Sequence, residues 1–337
     1  MAAPLRIGLI GAGANTRERH IPGFQALAGV EVVTVANRTI ASAQRVAAEF
    51  SIPRVAPDWQ SVVADPAVDA ICIGTWPYLH AEIACAALAA GKHVLTEARM
   101  ARDLPEAEHM LAAARARPEL IAQVVPSPMT LECDATIRAM IADGVLGEVR
   151  EICVTQTMGA YANPDAPMTW RQDIALSGHN TLTLGIYYEA VLRWMDEDVR
   201  VDAAQAGIFT KQRRCADGTM AAVLIPESLS VLGRYQNGCR LLMHLSGVES
   251  GPPRNEIRIN GSKGGLRLAV PEKTLWHARP GQPETQVAIP AAERRGWQVE
   301  ADFVASIRDG TPVRLTDFAT GVRTMRFTDD VWAAWQR

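Results

Sequence analysis

LRIGLIGAG, residues 5–13, decides how the rest of the chain is read. It is a short aliphatic run that ends in Gly11-Ala12-Gly13. Such a run suits a strand buried on both faces. Glycines directly after it let the chain turn sharply and bring backbone amides against a pyrophosphate at a helix N-terminus. The segments that follow keep alternating. IPGFQALAG (21–29) has helical spacing, GVEVVTVANR (29–38) is a β-branched run, and ASAQRVAAEF (41–50) is a helix. DAICIGT (69–75), HVLTE (93–97) and LIAQVV (120–125) read as buried strands. Between them lie the helices HAEIACAALAAG (80–91), stopped by Gly91, and LPEAEHMLAAARAR (104–117), opened by Pro105 and closed before Pro118. Alternation of this kind predicts a doubly wound, parallel α/β sheet covered on both faces.

Within that frame Gly11 and Gly13, with Ala14 and Asn15 after them, are the expected contacts to a dinucleotide. A plain tight turn is the alternative. The third fingerprint position holds Thr16 instead of glycine. The second strand ends in Val35-Ala36-Asn37-Arg38-Thr39, where an acidic residue would bind a ribose 2′-hydroxyl. None is present. Asn37 offers a neutral amide, and Arg38 can clamp a 2′-phosphate by charge and paired hydrogen bonds. These residues favour NADP(H) over NAD(H), unless Arg38 is only a surface arginine at a strand end.

Bulk properties exclude several classes. The chain has 337 residues, 48% hydrophobic and 21% charged, with a net charge of −3. That is an ordinary globular composition, long enough for about two domains. Without a long basic run, nucleic acid and anionic membrane surfaces are not expected partners. No apolar stretch approaches the roughly 20 residues of a membrane span. The N-terminal residues show no signal-peptide pattern, so a cytoplasmic location is expected. Six scattered cysteines without C-x-x-C spacing and seven unclustered histidines predict reduced thiols and no metal site.

The pattern changes after residue 125. A helix at DATIRAMIADG (134–144) is followed by the alternating run VREICVTQTM (149–158). Closely spaced strand-like runs come next: AAQAGIF (203–209), TMAAVLI (219–225), LSVLGRY (229–235), CRLLMHLSG (239–247) and EIRIN (256–260). Asp217-Gly218, Asn237-Gly238 and Asn260-Gly261 mark hairpin turns between them. Residues 296–310 and 317–337 read as closing helices, the last with Phe318, Val322, Met325, Trp332 and Trp335 in one apolar stripe.

Taken in order, several motifs resemble the Gfo/Idh/MocA oxidoreductases, the family of glucose–fructose oxidoreductase and the inositol dehydrogenases. They are G-x-G, Thr75-Trp-Pro-Tyr-Leu-His80, Ala90-Gly-Lys-His-Val94 with Glu97, Ile141-Ala-Asp-Gly144 with Gly147-Glu148, and Gly261-Ser-Lys-Gly264. The resemblance runs over nearly the whole chain. It implies an α/β architecture: an N-terminal Rossmann, doubly wound parallel sheet (1–125) bound to NAD(P), plus a C-terminal α+β domain (126–337) with a large, open, mostly antiparallel sheet. It also implies a small-molecule substrate between the domains and a homodimer or homotetramer built through that sheet. Thr75, Trp76, His80 and Glu97 join the expected cofactor contacts.

The chain departs from the family at its catalytic positions. The family's usual Glu-Lys-Pro reads Glu97-Ala98-Arg99, and the Asp and His of a second motif read Thr183 and Tyr187. Oxidising an alcohol releases a proton that some group must take. Tyr187 is the first candidate, by similarity to glucose–fructose oxidoreductase, which carries tyrosine there. His179 and Asp173 are the other candidate proton carriers. Arg99 could replace the lysine's charge and bind a substrate carboxylate or phosphate, although its high pKa makes it a poor proton shuttle. In TWRQD (169–173) and SGHN (177–180), Trp170 offers a stacking wall, Arg171 an anion contact and Asn180 a hydroxyl contact. Three functions remain open at this point: an NAD(P)-dependent oxidoreductase acting on a polyhydroxylated or carboxylated small molecule; a redox-neutral lyase or hydrolase with tightly held cofactor; and a catalytically silent nucleotide-binding protein.

Overall fold

The computed structural model describes residues 3–337. The chain divides into two compact units, Met1–Pro126 with Gln298–Met325, and Ser127–Trp297 with Arg326–Arg337.

In the first unit, β1 (Leu5–Ile10), β2 (Val30–Ala36), β3 (Arg54–Val55), β4 (Ala70–Ile73), β5 (His93–Thr96) and β6 (Ala122–Val124) form one parallel sheet. Their order is β3-β2-β1-β4-β5-β6. The winding reverses between β1 and β4, and the crevice beyond their carboxyl ends is where such sheets bind ligands. All four residues of β4 are buried, as continuous aliphatic strands require. Helices Ile40–Phe50, Trp59–Ala64 and Leu104–Arg115 start at Thr39, Asp58 and Asp103, each of which accepts a backbone N–H with its side chain.

Two elements differ from the sequence reading. Helical structure after β1 begins at residue 14, not 21, and includes a π-helical stretch at Thr16–His20 before Ile21–Gln25. It begins at the glycines because Arg17 N–H donates to Gly13 O at 3.0 Å and Thr16 Oγ1 to Gly11 O at 3.2 Å. Residues 126–337 were expected to form one domain, yet residues 298–325 group with the first unit. There Phe303 meets Phe24 edge-on at 6.4 Å, and Val124 N–H donates to Thr316 O at 2.9 Å.

The second unit is built on ten strands: β7 (Val149–Thr157), β8 (Arg200–Gly207), β9 (Gln212–Arg214), β10 (Met220–Ala222), β11 (Ser228–Arg234), β12 (Arg240–Ser246), β13 (Arg254–Gly261), β14 (Gly265–Ala269), β15 (Thr274–Ala278) and β16 (Thr285–Val287). Eight form a mixed sheet in the order β16-β15-β14-β13-β7-β12-β11-β8, with β9 and β10 pairing separately. Only β7 with β12 is parallel. Gly218 and Gly238, at φ +88° and +86°, turn the β9–β10 and β11–β12 hairpins. Ile152, Val154, Val231, Leu241, Met243 and Ile257 face one core with helix Leu184–Met195. Each such side chain contributes about 1.5–3 kcal/mol when removed from water.

The stripe expected along the last helix, Phe318–Trp335, is divided. Phe318, Val322 and Met325 belong to the core of the first unit. Phe327 and Val331 belong to the core of the second, where Phe327 stacks on Tyr188 at 3.7 Å. Among the described residues, no helix is long and apolar enough to cross a membrane.

Candidate active site

The glycine turn of the first unit is shaped by close backbone approach. Gly11 has φ +85°, and a Cβ there would lie 2.6 Å from Thr75 N. Gly74, at the end of β4, is equally constrained, since a Cβ would meet Thr16 Oγ1 at 2.1 Å and Gly11 O at 2.2 Å. The hydroxyl of Thr16 therefore fills the space where a third fingerprint glycine would sit, and Gly74 supplies the missing room. Gly74 was not among the expected site residues, although it follows its strand just as Gly11 does. Gly13 and Ala14 are exposed at the start of the helix.

A cleft of about 190 Å³ opens on this turn, with Gly11, Gly13, Arg38, Thr75 and Trp76 among its walls and no carboxylate. Arg38 lies over the Trp76 ring, 5.6 Å from its centroid. Among the described residues, Thr75 Oγ1 is buried without a hydrogen-bond partner. Asn37, expected as a cofactor contact, lines the same cleft and also holds the loop together. Its Oδ1 accepts Ala12 N–H at 2.7 Å and its Nδ2 donates to Ser42 Oγ at 3.0 Å, so the amide ties the glycine loop to the next helix.

Behind the turn, Glu97 accepts hydrogen bonds from Asn15 Nδ2 and from its own neighbour Ala98 N–H. Its Oε1 also lies 3.0 Å from His20 Nε2, and His20 Nδ1 lies 2.5 Å from Glu300 Oε1. Burial opposes charge on His20, but the bonds to Glu300 and Glu97 prevail and push its pKa up to about 9. Burial alone would raise Glu97; the bond to His20 and its charge pull the carboxyl below its usual range instead. Nothing in the sequence pairs His20 with Glu300, which are 280 positions apart.

His80 and Arg99 are both buried. His80 is buried, with Nδ1 3.0 Å from Arg99 O and Nε2 3.0 Å from Thr75 O. The ring thus braces two backbone segments, and burial lowers its pKa. Arg99 is 7% exposed, and the Ala98–Arg99 peptide is cis.

In the second unit, Gln156, Met158, Tyr161, Thr169, Arg171 and Thr183 line most of a cavity of about 400 Å³. Leu182, in the left-handed region at φ 48°, completes one wall. Arg171 stacks on Trp170 at 4.3 Å, which holds the guanidinium and covers one face of the indole. A buried ion pair shapes the neighbouring loop. Arg213 donates to Glu227 Oε1 at 2.9 Å and to the carbonyls of Tyr161, Asn163 and Ala166 at 2.8–3.0 Å. Glu227 in turn accepts Phe209 and Thr210 N–H at 2.9 Å. Sequence reasoning missed this pair, because isolated charged residues carry no local signal of burial.

The candidate proton carriers separate. Tyr187 is 0% exposed, donates to Asn255 Oδ1 at 2.5 Å, and has its phenol pushed up to about 12 by burial. Burial thus holds this candidate proton carrier in its neutral form. Asn180 is likewise buried, with Nδ2 donating to Ser177 O at 2.7 Å, so that part of its amide closes a turn. Asp173 caps the short helix Ile174–Ser177 by accepting Ala175 N–H at 2.9 Å. His179 has its side chain 31% exposed, with Nδ1 2.9 Å from Asp329 Oδ1 and the ring stacked on Trp332 at 4.7 Å. An imidazole oriented by a carboxylate is a chemically competent acid or base. Asp329 was missed because it lies 150 positions from His179.

Comparison with known proteins agrees with this architecture. Residues 5–124 match the oxidoreductase family with an NAD-binding Rossmann fold, and residues 135–267 match the GFO/IDH/MocA C-terminal domain. The chain is 27% identical over 98% of its length to dTDP-3,4-didehydro-2,6-dideoxy-alpha-D-glucose 3-reductase of Streptomyces antibioticus, covering 96% of that protein. It is 29% identical over 87% of its length to levoglucosan dehydrogenase of Pseudarthrobacter phenanthrenivorans, covering 79% of that protein. Its fold is similar to that of levoglucosan dehydrogenase in complex with NADH and L-sorbose, with a TM-score of 0.89 at 22% identity over 98% of this chain and 97% of that one. Relatives named as dehydrogenases and reductases do not favour the redox-neutral or silent alternatives. The chain belongs to the GFO/IDH/MocA oxidoreductase family.

Proposed function

We propose that this protein is an oxidoreductase that prefers NADP(H) and acts on a CH–OH carbon of a polyhydroxylated or carboxylated small molecule, such as a sugar or cyclitol. The observation that carries the reading is the cleft at the reversal point of the parallel sheet, with a glycine cradle, Arg38 and no carboxylate. Its residues suit a dinucleotide. Gly11 and Gly74 leave room that any Cβ would fill, and Thr75 Oγ1 is a buried hydroxyl in need of a partner. Gly11, Gly13, Ala14, Thr75 and Trp76 would hold the cofactor, with Arg38 placed for a 2′-phosphate. Bound there, the nicotinamide supplies the hydride acceptor or donor.

The rest of the chemistry falls to the chain. His179, oriented by Asp329, takes or returns the alcohol proton. In the cavity of the second unit, Gln156, Thr169 and Thr183 offer groups for substrate hydroxyls, and Arg171 offers a contact for a carboxylate. Relatives named for sugars support this substrate class. With the reading go a cytoplasmic location and a homodimer or homotetramer through the eight-stranded sheet, on which Leu232 of β11 is 45% exposed. The test offers sugars, cyclitols and sugar acids together with NADP⁺ or NAD⁺ and follows nicotinamide absorbance. Reduction is expected with a member of this panel, faster with NADP⁺. Product release without net change in the nicotinamide contradicts the proposal.

A further inference from the structure

The first unit buries a row of charge that the reaction above does not use. His20 is 0% exposed and has a carboxylate on each ring nitrogen, Glu300 at 2.5 Å and Glu97 at 3.0 Å. Gly23 makes room for Glu300, since a Cβ there would lie 2.7 Å from Glu300 Oε2. Glu97 also holds the side chain of Asn15, two residues beyond Gly13. The family's lysine would stand next to Glu97, and Ala98 brings no charge. We propose that His20 and Glu300 are positioning residues for the cofactor: the imidazolium between two carboxylates supplies the cation that Ala98 lacks, and so fixes Glu97 and, through it, Asn15 beside the glycine turn. This rests on the cofactor reading above.

A proton shuttle would need a ring that loses and regains its proton near neutral pH. Carboxylates on both nitrogens hold the proton in place, so the row acts as fixed charge. Titratable groups beside it include Cys72 on β4, its thiol raised first by burial and then by Glu97 and Glu300, and His80, which burial holds toward its neutral form. As pH rises through about 9, His20 deprotonates and the positive charge between the two carboxylates is lost.

The experiment titrates NADPH and NADH into wild type, Glu300→Gln and His20→Gln by calorimetry, from neutral pH to past about 9, with thermal midpoints measured in parallel. Wild-type affinity is expected to hold near neutrality and weaken through the alkaline range. Glu300→Gln is expected to bind roughly tenfold more weakly at neutral pH, the scale of one charge-assisted hydrogen bond, and to lose the alkaline limb. The wild-type profile and Glu300→Gln decide the matter even where His20→Gln does not fold. Equal affinity and an unchanged pH profile in Glu300→Gln, with or without a lower thermal midpoint, overturn this inference alone. Wild type that binds neither coenzyme overturns the cofactor reading beneath it.

Discussion

At the end of β1 the working surface is backbone: Gly11 turns at φ +85° and Gly74 admits no Cβ, so the geometry is set by two short stretches of chain. Around the cavity of the second unit the working surface is side chains, and their placement is set from far away. Arg213 reaches Tyr161 O across 52 positions and is neutralised by Glu227. The difference teaches where each site is vulnerable. A backbone site fails when one Cβ is added, whereas a side-chain site fails when its distant brace is cut.

Gly11→Val should have the largest effect. A β-branched residue at positive φ is a backbone outlier, and its Cβ collides with Thr75 N. Coenzyme affinity measured by calorimetry should fall at least about a hundredfold, equivalent to about 2.7 kcal/mol. Retained affinity would break the contrast, because the turn would then tolerate side chains. Next comes Arg213→Met, which leaves Glu227 buried without its cation. Denaturant unfolding should show a loss of about 3–5 kcal/mol. A loss under about 1 kcal/mol would mean that the loop is braced elsewhere. Tyr187→Phe should matter least. It removes one hydrogen bond to Asn255, worth about 1 kcal/mol of stability, and leaves kcat nearly unchanged. A fall in kcat of about a hundredfold or more would restore Tyr187 as the acid or base.

The legibility of the molecule follows the same division. Aliphatic runs, caps and glycines report on their own neighbourhood, so the parallel sheet, the G-x-G turn and the Gly218 and Gly238 hairpins could be read from short segments. The return of residues 298–325 to the first unit could not, because it depends on contacts such as Phe303 with Phe24. Side-chain roles followed the same rule. Arg38 could be placed at the strand end, but nothing local shows that Asn37 is spent on Ala12 N–H. Tyr187 is attractive by resemblance, yet its neighbours decide its chemistry, and they lie on β13 and in the core. His20 with Glu300 and His179 with Asp329 join residues from opposite parts of the sequence, which no spacing rule pairs.

The central claim is that a dinucleotide lies on the glycine turn and that Arg38 selects its 2′-phosphate. Calorimetric titration of NADPH and NADH into wild type and Arg38→Gln tests it most directly. Wild type should bind NADPH more tightly than NADH, and Arg38→Gln should weaken NADPH by about tenfold while leaving NADH unchanged. Binding of neither coenzyme, or equal binding of both that Arg38→Gln does not alter, would contradict it.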